Sequence, residues 1–399
     1  RRSQFPYSGE VLLMNFDFDA VIDRTGTDCV KWDHYAMHGE VEGVLPMSIA
    51  DMDFQAPGFV IDAMEARARH GIFGYTVVPD GYFDALAGWL YKRSGWRVER
   101  RWIRFTPGVI PALNFAVQAF TSPGDAVVIQ PPVYHPFRYS ITNNNRQILN
   151  NPLVRDSSGA YRMDIDGLVK AVKEAGGRAK MLILSNPHNP VGRVWSEEEL
   201  RALVKVCVEH GLILISDEIH SDLVMPGARH TPVASLSIEA ARITVTCTSP
   251  SKTFNLAELH VANIIIPDDG LYSRFDNALV KAGLNRPNVM GMVACEAAYK
   301  HGGEWVDSLV AYLNANYLVM RAFFEESLPE VKVSALEGTY LAWLDFNGLG
   351  LALPALEETL VRKARVDMTP GRIFGPGGEG FFRMNLACTR VTLNTALSR

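Results

Sequence analysis

The chain predicts an α/β fold: a mostly parallel sheet covered by helices on both faces, followed by a smaller α+β unit. Three observations carry this. Short aliphatic runs of strand length recur through the middle of the chain, as in Lys180 to Leu184 and Leu212 to Ser216. Helical stretches separate them. Polar residues follow the runs directly. A run that is apolar throughout belongs to a strand buried on both faces, which is the environment of a parallel sheet. In open sheets of this kind ligands bind outside the carboxyl ends of the strands, so the polar residues there are the first candidates for function.

Taken in order, Ala126 to Gln130 reads as a strand and ends in a proline pair. Lys180 to Leu184 is the second, ending at Ser185, Asn186 and Pro187. Ser196 to His210 reads as a helix, with Ser196 as N-cap, Glu199 at the capping-box position and Gly211 as the stop. Leu212 to Ser216 is the third strand, and Ile243 to Thr248 and Val261 to Ile266 are two more. The last hundred residues read differently. A long helical pattern runs from about Glu304 to Glu326, followed by strand-like Val331 to Ser334 and Tyr340 to Phe346 and a glycine-rich loop, Gly375 to Gly380. These belong to the smaller α+β unit, joined through the long helix.

Composition narrows the function. Of 399 residues, 48% are hydrophobic and 21% charged, so apolar surface is ample for folded cores. A formal net charge of -5 argues against a basic nucleic-acid binder. No apolar run approaches the roughly 18 residues of a membrane span, and Arg1 to Glu10 lacks the apolar stretch of a signal peptide. The residues before Met14 are set aside from the fold argument. The five cysteines, Cys29, Cys207, Cys247, Cys295 and Cys388, form no C-x-x-C pair, so neither a disulfide framework nor a thiolate zinc site is indicated. A reducing cytoplasm is the expected location. His34 and His38 have a spacing that can hold zinc on a helix, but the glutamate of the metalloprotease pattern is missing and a structural role is expected. No metal is expected.

Six stretches carry chemistry. Lys252, in Thr248-Ser249-Pro250-Ser251-Lys252-Thr253-Phe254-Asn255, follows an apolar strand and is flanked by small hydroxyls. A lysine near low-dielectric surface can act as nucleophile or base, and hydroxyls with backbone N–H groups suit a phosphate. Asp217, in Ser216-Asp217-Glu218-Ile219-His220, falls at a strand end, where its charge is costly without a partner such as a protonated heteroaromatic nitrogen. Ser185 to Gly192 holds two Asn-Pro steps and a glycine, a turn able to aim an asparagine into a crevice. Thr106 to Leu113 is a glycine turn entering a helix, whose free N–H groups bind phosphate. Pro131-Pro132-Val133-Tyr134 places an aromatic after a strand, and Arg383 stands alone in the apolar run Phe382 to Ala387, where a carboxylate is its natural partner. An ordinary surface loop, a helix-capping aspartate and a plain connection are the bland readings of the first three. The six together, in the chain order phosphate turn, aromatic, asparagine turn, aspartate, lysine and late arginine, match what pyridoxal phosphate requires: a lysine for its aldehyde, an anion for its ring nitrogen and donors for its phosphate.

With these residues in view the chain resembles the fold-type I pyridoxal-phosphate enzymes of the aminotransferase class I/II superfamily, with the aspartate aminotransferase-like fold. Within that group it is similar to the MalY/PatB-type cystathionine β-lyases, or C–S β-lyases. The resemblance runs from about Asn15 to Arg390 and is carried by Asn15-Phe16-Asp17, Lys31-Trp32-Asp33, Ala50 to Phe54, Gln130 to Pro136 and Asp217 to Asp222. It implies that Lys252 forms the Schiff base and removes the Cα proton, that Asp217 pairs with the pyridine nitrogen, and that Tyr134 stacks on the ring. It implies that Asn189 bonds the ring hydroxyl and also borders the substrate, and that His220 stands where many aminotransferases have a tyrosine. Gly108, Val109, Ile110, Ser249 and Ser251 would cradle the phosphate. Tyr75 would reach across a homodimer interface to the neighbour's phosphate, Arg383 would hold the substrate carboxylate, and Ile49 and Ala50 would line the same site.

The resemblance also implies a division into an N-terminal segment, 1–58, contributing to the small domain, a large cofactor-binding domain, 59–300, and a C-terminal small domain, 301–399. The implied reaction is α,β-elimination from cystathionine or related L-cysteine S-conjugates, giving a thiol, pyruvate and ammonia. An aminotransferase shares the first steps, and a regulator-binding role is a reading of another class. Two departures stand out: His260 occupies the position of a phosphate-contacting arginine, and Glu258 stands where many relatives have glycine. A carboxylate there would be repelled by the phosphate unless it points away.

Overall fold

The computed structural model describes residues 16–33, 41–284 and 286–399. Asn15, His34 and His38 lie outside the described residues. The central feature is a seven-stranded sheet. Its strands in chain order are β1 (Ile103–Thr106), β2 (Ala126–Ile129), β3 (Gln147–Asn150), β4 (Ala179–Ser185), β5 (Ile213–Asp217), β6 (Thr244–Thr248) and β7 (Ala262–Ile265). Across the sheet they lie in the order β1-β7-β6-β5-β4-β2-β3. Neighbours from β6 to β3 are parallel, and β7 runs antiparallel to both β6 and β1. The connection from β6 to β7 holds no helix long enough to cover the sheet, so the chain returns antiparallel.

The five strands read from sequence are all present, within a residue or two at their ends. β1 and β3 were not foreseen. β1 carries Arg104, and β3 is an edge strand with polar, exposed ends, so neither shows the apolar run that marks the others. The interior strands are fully buried at Val127, Val128, Leu182, Leu184, Leu214, Ile215 and Val245. The helix Glu197–Glu209 opens with the expected capping box between Ser196 and Glu199. Glu199 also pairs with Arg193 at 3.0 Å.

Beyond the long helix Gly303–Ser327 lies a four-stranded antiparallel sheet of β8 (Lys332–Val333), β9 (Leu341–Asp345), β10 (Thr369–Pro370) and β11 (Phe381–Asn385), in the order β8-β9-β11-β10. The N-terminal stretch joins this part of the molecule: Leu45–Pro46 pairs in parallel with Val366–Asp367. One apolar core runs from Tyr82, Leu86 and Trp89 through Trp305 and Leu309 to Leu341 and Met384. Cys388 lies in that core, and burial pushes its thiol up to about 12. No described helix is long and apolar enough to cross a membrane.

Candidate active site

The carboxyl ends of β4, β5 and β6 bring three of the six stretches together. Asp217 closes β5 and is buried. No helix follows it. Its Oδ1 accepts from the Ile219 N–H at 3.2 Å, so the helix-capping reading is set aside. Its backbone carbonyl accepts from Asn186 N–H at 2.9 Å, which ties the Asn-Pro turn after β4 to the end of β5. Burial pushes the Asp217 carboxyl up to about 7, Glu218 adds to this, and Lys252 opposes it. A buried carboxylate in this condition gains most from a cationic partner.

Lys252 sits in the one-turn helix Pro250–Thr253 after β6. Ser249 caps that turn: its Oγ accepts from Ser251 N–H at 3.1 Å and donates to the Val261 carbonyl at 2.7 Å. The Lys252 Nζ donates to the Ala50 carbonyl at 2.6 Å. Burial lowers the amine to about 8, with help from Arg383, while Asp51 and Asp217 oppose the shift. A substantial neutral fraction at working pH is what a base or nucleophile needs.

Arg383 comes from β11 and is buried. Its Nη1 donates to Asn189 Oδ1 at 3.0 Å, and its Nη2 donates to the Ser48 carbonyl at 2.9 Å and to Thr369 Oγ1 at 3.3 Å. The guanidinium lies 5.0 Å from the centre of the Phe374 ring. The Asn-Pro turn does aim Asn189 into the crevice, where it links Arg383 to Tyr134, whose N–H donates to the Asn189 carbonyl at 3.0 Å. The Tyr134 phenol is pushed up to about 12 by burial, then by Asp217. His220 is buried, its Nδ1 has no hydrogen-bond partner among the described residues, and burial lowers it to about 3, so it is neutral.

Gly108 precedes the helix Val109–Phe120 with φ of 113°, a conformation that requires glycine. The first N–H groups of that helix, at Val109 and Ile110, have no helical partner of their own. Two predicted residues stand apart. Tyr75 is fully exposed, in an irregular stretch, near Arg286. Glu258 is also exposed and pairs with His260 at 3.1 Å, so the anticipated repulsion at a phosphate does not arise: the carboxylate points to solvent.

Sequence reading missed the device that joins these parts. The segment Ser48–Phe54 crosses the site, and its carbonyls are held one after another. Ile49 and Asp51 carbonyls accept from Asn385 Nδ2 at 2.6 and 2.7 Å. Met52 and Phe54 carbonyls accept from Asn255 Nδ2, both at 3.0 Å. Asn255 follows Lys252 and Asn385 follows Arg383, so one segment fixes both catalytic candidates. Asp51 and Asp53 are neutralised by Arg24, each at 2.7 Å, and Lys31 pairs with Asp53 at 2.9 Å. Tyr340 was read only as the start of a strand, yet its hydroxyl reaches the Ala50 carbonyl at 2.9 Å.

The residues fit pyridoxal phosphate on structural grounds. A buried aspartate short of a cation, a neutral buried histidine with an open ring nitrogen, an amine near 8 and a glycine-led helix N-terminus match its ring nitrogen, ring substituents, aldehyde and phosphate. The raised Asp217 has a measurable consequence. Its ordinary value is 3.8 and its folded value about 7, so the folded chain binds a proton that the unfolded chain has lost. Its contribution to stability therefore falls as pH rises from about 4 to 7. Cofactor-free Asp217→Asn should melt several degrees above the cofactor-free parent at pH 8, with the difference gone near pH 4. Equal melting temperatures at pH 8 would contradict the burial cost.

The aminotransferase class I and II family model matches residues 42–399. Cystathionine beta-lyase PatB of Bacillus subtilis is 46% identical over 96% of this chain and 98% of its own. Among solved structures, cystalysin from Treponema denticola, which contains a pyridoxal 5'-phosphate cofactor, superposes with a TM-score of 0.93 at 38% identity, covering 96% of this chain and 98% of its own. The pyridoxal-phosphate-bound C–S lyase of Staphylococcus hominis gives 0.90 at 31% identity, with 97% of each chain covered. With the site geometry and these similarities together, the chain is a member of the aminotransferase class I and II family.

Proposed function

We propose that this protein is a pyridoxal-phosphate-dependent C–S β-lyase that cleaves cystathionine or related L-cysteine S-conjugates to a thiol, pyruvate and ammonia. The observation that carries this is the meeting of Lys252, Asp217 and Arg383 at one crevice in a chain 46% identical to a cystathionine β-lyase. When bound, the cofactor supplies an electron sink for the pair left at Cα.

Every other part of the chemistry falls to the chain's own residues. Asp217 holds a proton on the ring nitrogen, Tyr134 covers the ring face, and Asn189 and His220 meet its polar edge. Gly108, Val109, Ile110, Ser249 and Ser251 offer N–H and O–H donors to the phosphate. Arg383 binds the substrate carboxylate, which sets Cα in front of Lys252, with Ile49 and Ala50 along the same wall. The Lys252 amine takes the Cα proton, and the thiolate leaves from Cβ. The test is pyruvate release from L-cystathionine by the cofactor-loaded protein. Transfer of the amino group to a ketoacid, without pyruvate, would instead identify an aminotransferase.

Residues 1–58 serve the small domain, 59–300 form the large cofactor domain and 301–399 the small domain. The pairing of Leu45–Pro46 with Val366–Asp367 supports the first of these. The working unit is a homodimer in the cytoplasm, with neither nucleic acid nor membrane as partner. The exposure of Tyr75, together with Ile72, Phe73 and Val77, supports an interface there, with Tyr75 serving the neighbouring site. Mixing Tyr75→Ala with Lys252→Ala, each nearly inactive, should restore roughly a quarter of parental activity through mixed dimers with one intact site. No recovery after mixing would place Tyr75 in its own chain's site, and full activity of Tyr75→Ala alone would place it outside both.

A further inference from the structure

We propose that the main-chain carbonyl of Ala50 and the hydroxyl of Tyr340 form a resting site for the free amine of Lys252, with Tyr340 a positioning residue for its action as the base. Within Ser48–Phe54, the carbonyls on either side of Ala50 are taken by Asn385, whereas the Ala50 carbonyl receives both Lys252 Nζ, at 2.6 Å, and Tyr340 Oη, at 2.9 Å. A carbonyl oxygen has two lone pairs, so these two donors fill it. Tyr340 is completely buried, and its ring stands edge-on to His220 with centroids 6.0 Å apart. Burial, then Asp51, holds its phenol well above the ordinary tyrosine range, so the hydroxyl stays a donor throughout the working pH range.

The consequence is a bias toward the neutral amine. One N–H of Lys252 is anchored, which leaves its lone pair free to face the crevice. The oxygen it rests on is already engaged by a second donor and offers an ammonium less stabilisation than an unshared carbonyl would. The other charged or titratable groups facing Lys252 are Arg383 from β11, Asp51 from the crossing segment, Asp217 from β5, and His220 from the loop after β5. None of them is bonded to the Ala50 carbonyl in the way Tyr340 is.

The inference rests on Lys252 being the reacting amine, and the test separates the two ideas. In the full-length chain freed of cofactor, the rate at which Lys252 reacts with trinitrobenzenesulfonate is followed against pH by peptide mass spectrometry. Tyr340→Phe should raise the midpoint by about one unit, the equivalent of one hydrogen bond. In the loaded enzyme the acid limb of kcat should move the same way, with kcat down by up to about tenfold below the midpoint and KM unchanged. Site-specific 3-fluorotyrosine at position 340 keeps the ring and strengthens the donor, so the midpoint should fall instead; this arm stands even where the phenylalanine variant does not fold. An unmoved midpoint in both variants, a fluorotyrosine shift upward, or a loss of kcat independent of pH overturns the proposal. Activity surviving in Lys252→Ala would overturn the reading of Lys252 beneath it.

Discussion

Lys252→Ala lowers pyruvate release from L-cystathionine by ~10⁴-fold or more at saturating cofactor. The size follows from the number of tasks one amine performs. In the proposed function it would anchor the cofactor's aldehyde, and it would also take the proton from Cα. Its surroundings are arranged for this: burial and Arg383 bring it to about 8, and Ala50 fixes its direction at 2.6 Å. Alanine leaves the capped turn intact, because Ser249 holds that turn without the lysine. A folded variant, verified by its circular dichroism, that retains more than a hundredth of parental activity would contradict the assignment.

Asp217→Asn lowers kcat by roughly 10³-fold, with a much smaller change in KM. The amide has nearly the shape of the carboxylate but cannot hold a proton on the ring nitrogen by charge, so the electron sink is weakened where charge develops. The proposed substrate contact at Arg383 is left alone, which is why the loss is expected in kcat. The comparison requires cofactor in excess, with occupancy read from its visible absorption, because affinity falls too. Equal losses in kcat and in substrate affinity would mean that the substitution has disturbed the crevice rather than the electronics.

Much of this could be read along the chain because the informative residues are local. The strands announce themselves as aliphatic runs, Ser196 and Glu199 announce a helix start, and Lys252, Asp217 and Arg383 each stand out against their own neighbours. The parts that escaped depend on contacts between distant segments. Tyr340 looks like any aromatic at a strand's beginning, and only folding brings it 290 positions across the sequence to the Ala50 carbonyl. Asn255 and Asn385 sit inside motifs that were noticed for the residue beside them, and their clamp on Ser48–Phe54 has no sequence signature. The reversed direction of β7 was hidden for a related reason: an aliphatic strand carries no mark of its direction. The concern about Glu258 came from the family resemblance, in which many relatives have glycine there, and the 3₁₀ turn Ala257–Leu259 turns that side chain outward to His260.

The central claim is α,β-elimination at one crevice, and one measurement tests it most directly: products formed from L-cystathionine by the cofactor-loaded protein, with pyruvate, ammonia and thiol quantified together. Equal amounts of the three, accumulating over many turnovers, are what the account predicts. Amino transfer to an added ketoacid, with no pyruvate and no thiol released, would contradict it.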